Sequence, residues 1–457
     1  MEISERPNII LINCDDLGYG DLGCYGSDRN STPALDRLAE EGMRFTDFYM
    51  ASPVCSPSRG AMMTGCYPPR IGFDLFENAR VLFPGHGVGL NPQEITIATL
   101  LQRSGYATKL VGKWHCGDQP PFLPTRHGFE EYYGLPYSND MGRQRGKKKV
   151  HPPLPLMRDE EVIQEQPDQT GLTERYVEES VRFMRLNRDR PFFLYLAHMY
   201  VHLPLYVPDV FMRASRNGRY GAAVECIDWA TSVILHELQR LGLDERTLVI
   251  FTSDNGSRVR DEGGSNGMLR GTKATTWEGG QRVPSIMRWP GTIPGGRVCN
   301  ALTTAMDFYP TFAELGGAEL PADRVIDGKS LLPLLAAGGE GPSPHEAFFY
   351  YWGDHLEAVR AGNWKLHVHK QGQAIRELYD LHSDPGEIRN QYDRHPDIVR
   401  DLEARLEACR RDLGDAVTGV SGGNRRPVGR VAEPQTLTRL DADHPYMIAE
   451  YDLEQWG

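Results

Sequence analysis

Three carboxylates and one amide stand at the ends of two apolar runs in this chain. NIILIN (8–13) runs into Asp15 and Asp16, and TLVIFTSDNG (247–256) runs into Asp254 and Asn255. Together these side chains offer a hard, all-oxygen ligand set. It suits Ca²⁺ or Mg²⁺ and does not favour zinc, which prefers nitrogen and sulfur. Either pair alone reads as a turn, because Asp, Asn and Gly favour turns. Two such pairs, each closing a buried-strand pattern, read as a cation site. KLVGKWH delivers Lys113 and His115 in the same way, and FFLYLAH delivers His198, with His202 four residues on. HMYVH (198–202) has the histidine spacing of the zinc helix HExxH, but Met199 replaces the glutamate and Pro204 follows closely. We read His198 as a core residue and His202 as a site residue. The Gly-punctuated loop MLRGTKATTWEGG (268–280) carries Lys273, which on its own reads as a solvated charge.

PVCSPSRGAMMTG (53–65) adds a thiol with no neighbouring cysteine. Pro57 suits a first helical turn and Gly65 a helix stop. Cys55 then sits near a helix N-terminus, where backbone N–H groups and the helix dipole favour an anion. Arg59, one turn on, adds positive charge on the same face. A thiolate phosphatase needs a longer gap between cysteine and arginine than the three residues found here. Cys14, Cys24, Cys66, Cys116, Cys226, Cys299 and Cys409 are scattered, without any CxxC pair. Zinc ribbons, thioredoxin-type chemistry and a disulfide scaffold are therefore not indicated.

Strands alternating with helices must bring these residues together. TPALDRLAEEG (32–42), with Thr32 as its cap, ITIATLLQRSG, GLTERYVEESVRFMRLN (171–187) and RYGAAVECIDWATSVILHELQRLGL read as helices. The runs at 8–13, 191–198 and 247–253 read as buried strands. This alternation predicts an α/β fold with a large, mostly parallel sheet sandwiched by helices. In such sheets, sites form outside the carboxyl ends of the strands, where all these polar residues fall. GGEGPSPHE (338–346) reads as a linker. It divides a catalytic domain, 1–340, from a C-terminal α+β unit, 341–457. The second unit is expected to hold a small antiparallel sheet, one helix (HPDIVRDLEARLEACRRDLG) and an irregular tail.

The formal charge of −12 argues against a general nucleic-acid binder. RQRGKKKVH (143–151) reads as a solvated basic loop. The N-terminus MEISERPNIILINCDD has no basic n-region and too short an apolar run for a signal peptide. Two localisations fit: cytoplasmic as the chain stands, or a mature exported form whose leader was removed. Oligomeric state leaves no mark on the sequence.

CSPSRGAMMTG resembles the sulfatase signature, C-x-P-S-R followed by a threonine–glycine pair. The likeness extends to NIILINCDDLGYGDLGCYG, KLVGKWHCG, GLPYSNDMG, the histidine of VHLP, VIFTSDNG, GTKATTWEGG and ELYDLHSDPGEIRNQY. GLPYSNDMG resembles the arylsulfatase A branch. The resemblance implies an alkaline phosphatase-like fold and hydrolysis of aryl or carbohydrate sulfate monoesters. It implies that a formylglycine-generating or radical-type maturase oxidises Cys55 to Cα-formylglycine. Asp15, Asp16, Asp254 and Asn255 would hold the divalent ion, usually Ca²⁺, with Mg²⁺ or Mn²⁺ as alternatives and modified Cys55 completing the shell. Arg59 would steady the aldehyde hydrate, while Lys113, His202, Lys273 and Ser138 would hold the sulfate. His115 would bond to the hydrate and later accept a proton, and His202 or Lys273 would protonate the leaving oxygen. Two departures, Cys14 before the aspartate pair and an unfamiliar tail, lie outside this chemistry. A phosphonate or phosphodiester hydrolase of the same superfamily is the first rival, and Asn255 argues against its zinc-dependent form. A silent Ca²⁺-dependent binder of sulfated glycans is the second, and retention of Cys55 and Lys273 argues against it. The alcohol released has no readable code.

Overall fold

The structure, a computed structural model, describes residues 6–146, 151–441, 443 and 451–455. Positions 147–150 of the basic cluster lie outside them, as does most of the tail beyond 441.

A ten-stranded sheet runs through the large unit. Its centre is parallel: Asn8–Cys14 lies between Thr247–Ser253 and Phe192–Ala197, followed by Ala107–Gly112 and Glu131–Gly134. Ser285–Arg288, Met43–Phe45 and Arg297–Cys299 extend one side, and Pro155–Arg158 and Glu161–Glu165 the other. The central strands are apolar throughout because both faces are covered. Ile9, Leu11, Leu110, Phe193, Leu248 and Ile250 pack on one face, with the helices Ile97–Arg103 and Phe308–Gly316. Ile10, Ile12, Val111, Leu194, Val249 and Phe251 pack on the other, with Pro33–Glu40, Leu172–Leu186 and Gly218–Leu241.

Register decides where the chemistry falls. Cys14 pairs with Ser253, Asn13 with Ala197, and Gly112 with Ala197. The residues that leave these strands are Asp15, Asp254, His198 and Lys113, so all four start from one line along the sheet edge.

Thr32 does not cap its helix. Its hydroxyl accepts from Gly23 N–H (2.8 Å) and donates to Asp36 (3.0 Å). The free N–H groups of Ala34 and Leu35 donate instead to Asp228 of the long helix (3.2 and 2.8 Å). A tertiary carboxylate thus replaces the local cap.

Phe348–Trp352, His355–Ala361, Trp364–Lys370 and Gln373–Asp380 form an antiparallel meander. Helix Pro396–Leu413 covers it with Val399, Leu402, Leu406 and Leu413. The same apolar cluster takes in Tyr49, Ala61 and Tyr67 of the large unit, so the two units share a core. The chain beyond the helix then returns to the large unit. Arg425 pairs with Asp74 and Arg426 with Glu94 (both 2.7 Å), and Gly429–Arg430 pairs with Val88–Gly89. The sequence leaves this segment as an irregular tail, because nothing local marks those partners.

Arg70 binds the units from within. It is buried and donates to Asp327 (2.7 Å) and, in the C-terminal helix, to Asp412 (2.6 Å). Removing one partner of such a network leaves uncompensated charge. Arg70→Ala is expected to cost about 3 kcal/mol of stability, read as a lower denaturant midpoint. An unchanged midpoint would show that the pairs carry no net stability.

Candidate active site

The four strand ends and two loops meet in one buried pocket. Asp15, Asp16, Cys55 and Asp254 each bring a ligand atom within 4.8 Å of the others. Asp15 and Asp254 are fully buried, and Asp16 is 2 % exposed. Asp16 adopts a left-handed backbone (φ 65°), as do His115 (58°) and Ala274 (65°), which follows Lys273. Such conformations are costly for non-glycine residues and gather at functional sites. Asp16 and His115 turn the chain just past the ends of strands Asn8–Cys14 and Ala107–Gly112, and Ala274 turns it within the Lys273 loop.

The thiol arrives on the helix Cys55–Thr64, whose residues are all buried and which ends at left-handed Gly65. Side-chain space is short along it: a Cβ on Gly60 would meet the Phe73 ring at 2.5 Å. Cys55 Sγ lies 3.3 Å from Asp15 Oδ1. Burial, and then the Asp15 charge, push the thiol well above its ordinary pKa. Residue 55 as cysteine therefore sits as a neutral thiol, a weak nucleophile. Arg59 Nε donates to Asp254 Oδ2 (2.8 Å) and its Nη1 to the Lys113 carbonyl (2.8 Å).

Lys113 Nζ is buried and donates to Asp15 Oδ2 and Ser138 Oγ (2.6 Å for the latter). Lys273 Nζ donates to Asp16 Oδ2 (2.9 Å). Burial alone would lower the Lys273 pKa, but Asp16 and then Asp15 outweigh it and hold the ammonium charged. Burial would likewise raise Asp15, but the charges of Lys113, Arg59 and Lys273 hold it well below the usual range. Asp254 goes the other way, to about 6, through burial and then the Asp15 charge.

Both site histidines are neutral. Burial, with Lys113, pushes His115 well below its ordinary value, and burial with Lys273 lowers His202. His115 Nε2 faces the Leu82 carbonyl (3.0 Å), while its Nδ1 is buried without a partner. A ring that donates from Nε2–H leaves Nδ1 as a bare base. His202 Nδ1 faces its neighbour's carbonyl, Leu203 O (2.7 Å), and its ring lies within ligand reach of Asp15 and Cys55. His198 is buried in the core, and burial lowers it to about 4. The segment carrying both histidines is irregular, so their sequence spacing does not make a helical pair.

Asn255 Nδ2 donates to Asp16 Oδ1 (2.7 Å) and to the Gly256 carbonyl (3.0 Å), while its Oδ1 is buried without a partner. An orphaned amide oxygen beside three crowded carboxylates is the donor set that a hard cation takes. The residues present fit Ca²⁺ or Mg²⁺.

This fold and site define a hydrolase of the alkaline phosphatase-like class. The sulfatase family model matches residues 7–318, and the C-terminal model of N-sulphoglucosamine sulphohydrolase matches 272–412. The chain is 38% identical to arylsulfatase A of Homo sapiens over 92% of this chain and 90% of that protein. It is 42% identical to N-acetylgalactosamine-6-sulfatase of Canis lupus familiaris, over 79% and 72% respectively. The crystal structure of Ps i-CgsB in complex with k-i-k-neocarrahexaose superposes with a TM-score of 0.79, at 31% identity, covering 88% of this chain and 92% of that one. Phosphonate monoester hydrolase of Agrobacterium radiobacter shares the fold (TM-score 0.63, 22% identity, 89% and 95% covered). The chain belongs to the sulfatase family, whose members hydrolyse sulfuric esters.

Leu82 is the site residue that sequence reading missed. It acts through its backbone carbonyl, which leaves no signature in residue type.

Ca²⁺ is expected to raise the melting temperature. At a hundredfold excess over its dissociation constant, a ligand bound only by the folded state adds about 2.7 kcal/mol. Asn255→Leu should remove most of that shift. Because the folded Asp254 pKa of about 6 lies above its ordinary value of 3.8, this carboxyl favours folding at low pH and loses that contribution as pH rises through 6. Protons therefore compete with the cation, and the Ca²⁺-induced shift should grow from about pH 4.5 to about pH 7. A shift equal at both pH values, or kept in Asn255→Leu, would count against this ligand set.

Proposed function

We propose that the chain hydrolyses carbohydrate sulfate monoesters to alcohol and inorganic sulfate, with Ca²⁺ bound and residue 55 in the Cα-formylglycine form. The observation that carries this reading is the meeting of Cys55, three carboxylates and the unpartnered Asn255 oxygen at one buried point. Ca²⁺ would be held by Asp15, Asp16, Asp254 and Asn255 and would supply Lewis-acid charge opposite the sulfate oxygens. The hydrated aldehyde would supply two geminal hydroxyls in place of one thiol, the first to attack sulfur and the second to let sulfate leave.

The remaining work falls to side chains already in place. A sulfate ester is an anion and resists attack by another. The ammonium groups of Lys113 and Lys273 offset that charge, and it is greatest where charge gathers in the transition state. Ser138, bonded to Lys113, and His202 complete the grip on the sulfate oxygens. Arg59 steadies residue 55 from the next turn of its helix. Lys273 is the better proton donor to the leaving oxygen, because it is charged while His202 is neutral with Nδ1 committed to Leu203. His115, neutral with a bare Nδ1, is suited to take a proton when sulfate departs. The basis for a maturing enzyme as partner is the CSPSR segment at 55–59.

Protein made with a maturing enzyme is expected to turn over para-nitrophenyl sulfate and sulfated amino sugars. Its residue 55 peptide should carry a carbonyl that reacts with an aminooxy probe. Turnover by protein whose Cys55 is wholly unmodified would overturn the reading. His115→Ala is expected to lower kcat by about 10²–10⁴-fold, the usual worth of one general base, with an unchanged melting curve. Wild-type turnover in that variant would remove His115 from the mechanism.

A further inference from the structure

Among the residues tied to the neighbours of Lys273 and Cys55 is an arginine that the site chemistry does not use. Arg80 Cζ lies over the indole of Trp352, 3.1 Å from the ring centroid. Trp352 Nε1 donates to the Ala274 carbonyl (3.0 Å), directly after Lys273. Two residues beyond Arg80, Leu82 N–H donates to Ser56 Oγ (3.0 Å) and the Leu82 carbonyl faces His115. Arg80 is thus moored to the neighbours of Lys273 on one side and of Cys55 on the other. A tight turn presents it: Phe76 and Ala79 exchange both backbone hydrogen bonds (2.7 Å each) across Glu77 and Asn78. Both turn residues are left-handed (φ 48° and 70°), the geometry of a two-residue hairpin turn.

Unlike the buried arginines, Arg80 has no carboxylate in ion-pair contact among the described residues. Arg59, Arg70, Arg282, Arg288 and Arg360 all pair with carboxylates. Arg80 has no such pair among the described residues, and its Nε is buried without a partner. Asp354 and Glu357 are near enough to act on its charge. Glu357, however, accepts from Thr276 Oγ1 (2.5 Å) and Gln371 N–H, and Asp354 lies beside His355 (3.7 Å). A guanidinium held over an indole face presents a planar fork of N–H groups that matches a bidentate anion.

We propose that Arg80, oriented by Trp352, is a specificity residue that receives a second anionic group, sulfate or carboxylate, on the alcohol part of a saccharide sulfate. This rests on the carbohydrate-sulfate reading above. Arg80 makes the contact, and Trp352 is a positioning residue. The bland alternative is a strut that ties the 74–82 loop to the C-terminal sheet.

The test compares paired mono- and disulfated N-acetylhexosamines, each as substrate and as inhibitor of para-nitrophenyl sulfate turnover. In the wild-type enzyme the second sulfate is expected to tighten binding. Arg80→Ala should abolish that gain, lowering kcat/KM on the disulfated sugar about tenfold more than on its monosulfated partner, mainly through KM. Arg80→Lys should recover part of it, since an ammonium keeps the charge but not the fork. Trp352→Phe should fall between wild type and Arg80→Ala. Equal losses on both sugars together with a lower melting temperature would establish the strut and overturn the proposal. So would a wild-type enzyme indifferent to the second sulfate, or a gain that survives in Arg80→Ala. Failure of the wild type to hydrolyse any sulfate ester would instead bring down the sulfatase reading itself.

Discussion

Three carboxylates buried within a few ångströms of one another must be compensated, and the rest of the site follows from how that is done. Asp15, Asp16 and Asp254 face three cations: Lys113 pairs with Asp15, Lys273 with Asp16, and Arg59 with both Asp254 and Asp15. All but the partly exposed Lys273 are buried, and each is held by a partner from a different part of the chain. Unpaired, any of them would be expelled or neutralised by proton exchange. The balance is local, because the chain as a whole carries −12. A divalent cation added to such a balanced set leaves the pocket positive, which draws in an anionic ester against the charge of the molecule.

The C-terminal sheet takes part in that balance from behind. The loop carrying Lys273 is fixed on it by Lys365, which donates to the Thr276 carbonyl (3.0 Å) and to Glu278 (2.8 Å). Glu387 accepts from Glu278 N–H (2.8 Å) and contacts His367 (2.6 Å). Trp277 lies between the cations of Arg270 and Lys370, 3.6 and 3.9 Å from its ring. The small unit is therefore a support for the loop that carries Lys273 as well as a second fold. Its shared core with the helix of Cys55, through Ala61, ties that support to the thiol as well.

Much of this was legible beforehand, for identifiable reasons. Strands such as Asn8–Cys14 are buried on both faces and so are apolar without interruption, which marks them unmistakably. The helix at 55–64 shows its start and stop through Pro57 and Gly65. Residue types at strand ends pointed to a cation and an anion because carboxylates, lysines and histidines seldom close buried strands without cause. Thr32 misled, since a hydroxyl at a helix start signals a cap only when no tertiary carboxylate arrives first. Leu82 and Arg80 gave no signal: one works through its backbone, and the other looks like any loop arginine until Trp352 is found against it.

The sequence by itself determined the alternation of strands and helices, the kinds of side chain gathered at strand ends, and the family. Those depend on local periodicity and residue chemistry, which a linear chain carries openly. The tertiary structure alone decided that Cys14, Ser253, Ala197 and Gly112 lie level, so that the residues after them meet. It alone decided which nitrogen of His115 is free and which cation faces which carboxylate. These are matters of register and packing between segments distant in the chain, and no local pattern encodes a partner that burial has yet to choose.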